Sequence, residues 1–255
     1  MDCLTISVVI ITLNEEANLA RTLPSVAWAD EIIVLDSGSS DGTREMAESF
    51  HAKSFVEPWK GFAAQKNSAL AKATGDWILS LDADEEVEPA LADEIRAVLV
   101  ASPSVDGFRI PRKNFFLGRW IKHGGFYPDP KLRLFRRGAG TFEDRLVHED
   151  IRLDGTTASL RHNLLHHAYP TLDSYIEHMN RYSSLGAKMA IEKRPYGFSL
   201  IDIVVRPKLT FLYNYIFRLG FLDGREGLLL HAYHATYVSW KYAKAWENSR
   251  YRTAP

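Results

Sequence analysis

Apolar residues fall along this chain in two alternating rhythms. Thr5 to Leu13 (TISVVIITL) is rich in β-branched residues and carries no charge, which predicts a buried central strand. Asn14-Glu15-Glu16 then opens a helical spacing through Leu19, Leu23 and Val26, with acidic residues in its first turn. Glu31 to Leu35 (EIIVL) reads as a second buried strand ending at Asp36. The turn Ser37-Gly38-Ser39-Ser40-Asp41-Gly42 and a helix over Thr43–Phe50 follow it. Ala52 to Val56 reads as a weaker third strand, and the alanine-rich run Gly61 to Ala73 as a helix stopped by Gly75. Trp77 to Leu81 is a fourth apolar strand, ending in Asp82-Ala83-Asp84-Glu85-Glu86. This alternation predicts an α/β fold, a doubly wound and mainly parallel sheet. Such sheets bind ligands beyond the carboxyl ends of their strands, where Asn14, Asp36 and Asp82 all lie.

Pro89 to Val100 predicts another helix with proline in its first turn. Asp106–Leu117 and Lys131–Arg137 read as strands rich in Arg, Lys and aromatics, separated by a loop at 124–130. Residues 141–150 (TFEDRLVHED) concentrate ionisable groups. Leu164–Pro170 is strand-like, and Leu172–Lys193 is helical and carries Tyr175, Met179 and Tyr182. Tyr196–Leu222 and Gly227–Trp246 are apolar and aromatic. Arg206, Lys208 and Arg218 interrupt the first, and His231, His234, Lys241 and Lys244 the second. Neither reaches the roughly 20 uninterrupted apolar residues that spanning a bilayer needs. Two uses fit these segments: lying in a membrane interface, or packing on the α/β domain or a second subunit. The expected division is an α/β domain over residues 1–170 and a helical region over 171–255.

Composition narrows the class. The chain has 255 residues, of which 46% are hydrophobic and 25% charged, as in ordinary globular proteins. A single cysteine, Cys3, excludes a disulfide framework or a multi-cysteine metal site and points to a reducing compartment. The N-terminus lacks a basic-then-apolar signal pattern. The net charge of −1 hides an asymmetry. Residues 1–105 hold 7 Lys+Arg and 18 Asp+Glu, and residues 106–255 hold 24 and 14. An acidic half suited to cations precedes a basic half suited to anions. Scattered basic residues and the acidic first half argue against nucleic-acid binding.

Asp82 and Asp84 flank the neutral Ala83, so extended backbone lets both project to one side. Two carboxylates that close favour a shared cation, and oxygen ligands suit Mg2+ or Mn2+. The plainer alternative is an acidic turn capping the next helix.

Four stretches resemble the inverting family-2 glycosyltransferases of the GT-A fold: ITLNEEANL (Ile11–Leu19), VLDSGSSDGT (Val34–Thr43), GFAAQKNSAL (Gly61–Leu70) and GDWILSLDADEE (Gly75–Glu86). Further on, DPKLRLFRRG, FEDRLVHED, LLHHAYPTLDSYIEHMNRYS and YIFRLGFLDGREGLLL are similar to the branch of lipopolysaccharide inner-core glucosyltransferases. The resemblance implies a GT-A sheet with a C-terminal helical extension and a UDP-sugar donor, UDP-glucose first among the candidates. It also implies a glycan or lipid-linked acceptor at a membrane surface, with the enzyme peripheral on the inner, cytoplasmic face. Residue by residue, it implies that Asp36 contacts the uracil ring and that Thr12, Asn14 and Glu15 border the nucleoside. Lys66 and Asn67 would lie on the helix facing the nucleotide, with Lys66 reaching phosphate or sugar hydroxyls. Asp82 would contact ribose or metal-bound water, and Asp84 would bind Mg2+ or Mn2+ directly. His166, with His167 beside it, matches a late histidine ligand. Glu149 matches the catalytic base, with Asp150 and Asp144 as alternatives.

Two other classes use overlapping chemistry. A nucleotidyltransferase of sugar phosphates also pairs carboxylates on a metal, but it would carry a glycine-rich phosphate loop, and Ile11–Ala20 has no glycine. A non-catalytic glycan- or membrane-binding module has no use for Asp82, Asp84 and Glu149 together.

Overall fold

The computed structural model describes residues 4–101, 103–143, 151–192 and 196–252. In chain order the elements begin β1 (Ile6–Thr12), α1 (Glu16–Val26), β2 (Glu31–Asp36), α2 (Thr43–Ser49), β3 (Lys53–Val56), α3 (Phe62–Leu70), β4 (Trp77–Asp82), β5 (Glu85–Val87) and α4 (Pro89–Val100). Short strands follow: β6 (Gly107–Ile110), β7 (Arg112–Phe116), β8 (Arg119–Trp120), β9 (Lys131–Arg136), β10 (Gly140–Phe142), β11 (Ile151–Leu153), β12 (Thr157–Ser159) and β13 (Leu164–Tyr169). The chain then turns helical, with α5 (Leu172–Glu192), α6 (Arg206–Leu212) and α7 (Gly224–Arg252). Two compact units form, one from Met1–Arg112 with Asp129–His166, the other from Lys113–Pro128 with His167–Pro255.

The first unit is built on a seven-stranded sheet in the order β12-β6-β9-β4-β1-β2-β3. β1 lies parallel between β2 and β4, whereas β9 runs antiparallel to both β4 and β6. Side chains of β1, β2 and β4 alternate between two cores, as a strand period of two requires. Val8, Ile10, Val34, Leu79 and Leu81 join Leu19, Leu23 and Val26 of α1 and Leu91 and Ile95 of α4 on one face. Val9, Ile33, Leu35, Ile78 and Phe135 meet Ala63 and Ala69 of α3 on the other. Each fully buried Leu or Ile contributes on the order of 1.5–3 kcal/mol, so this double-faced burial dominates the stability of the unit.

The alternation read from the sequence is the one observed, but α3 ends at Leu70 rather than near Ala73. Gly75 is therefore not the residue that stops it. A Cβ at Gly75 would stand 2.8 Å from the Ser7 amide nitrogen. The glycine is needed for close approach of two backbones. Pro111 also separates the expected 106–117 strand into β6 and β7.

In the second unit, α5 packs along α7. The Lys244 ammonium donates to the Asn180 carbonyl at 2.9 Å and to the hydroxyls of Ser183 and Ser184 at 2.7 and 2.9 Å. Phe116, Ile121, Tyr175, Met179 and Leu230 form its core. Asp223 accepts the backbone N–H groups of Lys122 and His123 at 3.2 and 2.8 Å, tying the 113–128 segment to the start of α7.

Candidate active site

Three parallel strands deliver the site to one edge of the first unit. In register, Thr12 lies beside Asp36 and Ile11 beside Asp82, so β1, β2 and β4 end together.

The β1 and β2 ends are laced into one another. Asp36 is fully buried. Its Oδ1 accepts the N–H groups of Gly38 and Ser39 at 2.9 and 2.8 Å, and its Oδ2 accepts the hydroxyls of Thr12, at 3.1 Å, and Ser39. Burial by itself would raise this carboxyl, but the donors from Ser39, Gly38 and Thr12 hold it below the usual carboxylate range. Asn14 takes up left-handed backbone at φ 56°, which asparagine tolerates. Its N–H donates to Ser39 Oγ at 2.8 Å, and its Oδ1 accepts the Ser40 N–H at 2.9 Å. The Glu15 N–H donates to Thr43 Oγ1 at 2.9 Å, and Glu16 accepts the Gly42 N–H at 3.0 Å. Thr12, Asn14 and Asp36 are thus brought together, with Asp36 engaged by its own turn.

The β4 end is held from α1. The Thr22 hydroxyl donates to the Ala83 carbonyl at 2.7 Å, and Ser25 Oγ accepts the Val87 N–H at 3.0 Å. This fixes the turn carrying Asp82 and Asp84. Burial raises the Glu15 carboxyl; the Asn18 amide, donating at 2.6 Å, opposes this, and the charges on Asp84, Asp41 and Asp82 reinforce it. Glu15, Asp82 and Asp84 therefore feel one another across the strand ends.

The two aspartates have different partners. Asp82 Oδ1 accepts from the Lys66 ammonium at 2.7 Å, and Oδ2 accepts from Arg133. Burial would raise Asp82, but the Arg133 and Lys66 charges hold it well below the ordinary range. Arg133 also donates to the wholly buried Glu85 at 2.7 Å, and Glu85 accepts from Arg112 at 2.9 Å. Arg112 continues to Asp129, whose carboxyl burial would raise but Arg112 and Lys131 bring down to about 2. Asp84 instead faces His166, with Nε2 and Oδ2 3.4 Å apart. Burial opposes ionisation of Asp84, and the His166 contact outweighs it. β13 pairs with β5 so that His166 stands opposite Glu85 in register.

Not every expected residue joins this edge. Asn67 is engaged with the Phe142 backbone, donating to its carbonyl and accepting its N–H, both at 2.9 Å. His167 stacks on Phe115 with ring centroids 5.1 Å apart. Glu149, Asp144 and Asp150 lie outside the described residues. Arg112, Asp129 and Arg133 were not anticipated, although DPKLRLFRRG contains two of them. The two arginines are opposite in sign to the acidic run they neutralise, which was the available clue. Ser37 was also missed; among the described residues its buried hydroxyl has no hydrogen-bond partner.

Among the described residues, no three His, Cys, Asp or Glu side chains stand close enough to hold a metal ion alone. Asp84 and His166 offer one carboxylate oxygen and one imidazole nitrogen, while the Asp82 oxygens are occupied by cations. A Mg2+ or Mn2+ ion commonly takes one or two protein ligands and completes its shell with substrate phosphates and water. The donor set fits that mode.

Residues 7–162, more than half of the chain, match the family described as Glycosyl transferase family 2. The chain belongs to that family. A lipopolysaccharide core biosynthesis glycosyltransferase of Rhizobium meliloti is 33% identical over 99% of this chain and 96% of its own. An uncharacterized glycosyltransferase of Rickettsia typhi is 31% identical, covering 88% of this chain and 80% of its own. Among solved structures, a mannosyltransferase from Pyrobaculum calidifontis in complex with GDP-Man and Mn2+ aligns with a TM-score of 0.54. That alignment spans 98% of this chain and 88% of that one at 17% identity. The fold is thus a GT-A type α/β fold, and the family-2 protein is a glycosyltransferase related to an enzyme of lipopolysaccharide core biosynthesis. Family membership displaces the nucleotidyltransferase and non-catalytic readings.

Proposed function

We propose that this protein is a metal-dependent inverting glycosyltransferase. It moves a hexose, glucose first, from a UDP-sugar to a hydroxyl of a membrane-associated glycan of the lipopolysaccharide core type. The carrying observation is the asymmetry of the two aspartates, with Asp82 bound to Lys66 and Arg133 and Asp84 bound to His166. One carboxylate is embedded in cations that can meet phosphate and hydroxyl oxygens. The other is left to a ligand-type side chain.

In this reading Thr12, Asn14, Glu15 and Asp36 border the nucleoside, and Asp82 and Lys66 meet the ribose and diphosphate. Asp84 and His166 would hold Mg2+ or Mn2+ together with diphosphate oxygens. When bound, the ion supplies Lewis-acid neutralisation of the charge on the departing UDP. Glu149 takes the proton of the acceptor hydroxyl. The acceptor oxygen bonds to the anomeric carbon on the face opposite UDP, the carbon–oxygen bond to the β-phosphate breaks, and UDP leaves with the electron pair. Inversion follows from the single displacement.

The acceptor class is supported by the Rhizobium meliloti relative, which aligns over nearly the whole of both chains. Placement at the cytoplasmic face of the inner membrane follows from such an acceptor. Among the described residues no helix is long and apolar enough to cross a membrane, so attachment would be peripheral. The deciding experiment is a nucleotide-sugar panel scored by UDP release, with Mn2+, with Mg2+ and with EDTA. Release from UDP-glucose that EDTA abolishes is expected. Turnover indifferent to EDTA, or confined to GDP-sugars, would overturn the reading.

A further inference from the structure

The helix that precedes α7 leaves a large apolar stripe exposed. It runs from Ile201 to Phe217, α-helical over α6 and π-helical over the flanking turns Ile201–Val205 and Tyr213–Phe217. It runs antiparallel to α7, with the Tyr215 ring 6.2 Å from the His231 ring near the start of α7 and Ile203 beside Ser239 further along it. The Ser239 hydroxyl donates to the Ile203 carbonyl at 2.8 Å, and the Arg206 guanidinium stands 5.1 Å over the Tyr242 ring. The inward side is mixed, with Asp202, Thr210 and Asn214 alongside Ile203, Pro207, Phe211 and Tyr215. The outward apolar positions recur at three- and four-residue spacing, with Arg206 and Lys208 exposed among them. Ile201 is 66% exposed, Leu209 59%, Leu212 46%, Ile216 45% and Phe217 76%. Beyond the helix end, Phe221 and Leu222 extend the same character.

A helix in water hides its apolar stripe against the protein. An outward stripe of this extent requires a second apolar phase. At about 1.5 Å per residue the helix is roughly 26 Å long, suited to lying along an interface. Charge selects the occupant. Asp202 is taken by the Tyr196 hydroxyl and by Arg206 at 2.7 Å, and Asp223 is buried under the Lys122 and His123 backbone. Glu226 is paired with Arg225 at 3.1 Å. The exposed cations Lys208 and Arg218 have no carboxylate partner among the described residues. Two copies meeting on this face would bring those cations together, whereas a layer of anionic headgroups complements them.

We infer that residues 201–222 form an interfacial docking face for an anionic phospholipid leaflet. The purpose of such a face rests on the membrane-bound acceptor proposed above; its physics rests on the exposed apolar stripe and the cations beside it. The test is flotation of the full-length chain with vesicles of phosphatidylcholine, and of phosphatidylcholine with phosphatidylglycerol. The chain is expected to float with the anionic vesicles and less with the neutral ones. Combining Leu209→Ser, Leu212→Ser and Phe217→Ser is expected to lower the bound fraction about tenfold or more, at unchanged circular dichroism. Lys208→Glu with Arg218→Glu is expected to abolish the anionic preference, and it carries the test if the triple variant loses its fold. Absence of flotation, or equal flotation of these variants, overturns the inference. So does a stable dimer by light scattering that the triple variant dissociates, which would give the face to a second copy. Flotation needs no nucleotide or sugar, and Asp84→Asn protein must still float, so failure here is separable from failure of the donor reading.

Discussion

The Lys66 ammonium stands 2.7 Å from Asp82 Oδ1, and Lys66 is itself 8% exposed, so a buried cation from α3 meets the last residue of β4. Arg133 holds the other oxygen. Lys66→Met leaves Asp82 a single cation and removes a donor that the proposed diphosphate would share. Transfer is expected to fall about 100-fold, with stability lower by about 1–2 kcal/mol. Initial rates and urea midpoints check the two separately.

Asp84→Asn removes the carboxylate that meets His166 Nε2. UDP affinity should then lose its response to Mn2+, a drop of about tenfold or more, while affinity in EDTA stays unchanged. Calorimetry with and without the metal reads the difference.

Glu149→Gln tests the base. UDP-sugar binding should be retained and transfer reduced about 1,000-fold, the range of a positioned general base. Full transfer by this variant would send the role to Asp150 or Asp144.

Glu31 lies away from the site and bears on acid stability. Burial would raise its carboxyl, but Lys53 at 2.6 Å, the Ser7 hydroxyl and both Thr74 donors lower it from 4.5 to about 2. A depressed folded-state value stabilises fully above the unfolded value and is lost as protons bind the folded carboxylate. The contribution should therefore decline as pH falls from 4.5 to about 2. Glu31→Gln should cost about 2 kcal/mol at neutral pH and flatten the decline over that window. Urea midpoints across pH give both.

Gly75→Ala would press a methyl 2.8 Å from the Ser7 nitrogen and 3.0 Å from the Ile6 carbonyl carbon, neither of which can move without shifting β1. A loss of about 2 kcal/mol and a lower thermal midpoint are expected, with no direct effect on donor affinity beyond the loss of folded protein.

The β1–α1–β2 and α3–β4 alternation was legible because a strand buried on both faces announces itself as a short apolar run. The positions of Thr12, Asn14, Asp36 and Asp82 at strand ends followed from the same runs. The partners of those residues were not legible. Arg133 reaches Asp82 because β9 runs antiparallel beside β4, and no local pattern states which distant strand pairs with which. Asn67 looked equivalent to its neighbour Lys66, yet a turn of about 100° per residue on α3 sends one side chain to Asp82 and the other to Phe142.

By itself, the sequence determined the layered α/β architecture, the family and the acidic strand ends. These depend on periodicity and on residue types that lie close together in the chain. Only the tertiary structure decided that Asp82 is bound by two cations while Asp84 meets a histidine, and that Gly75 serves a backbone contact rather than a helix end. It also decided that the apolar stripe of residues 201–217 faces outward. Periodicity shows that a helix has two faces. Which one is buried depends on what α7 presents to it.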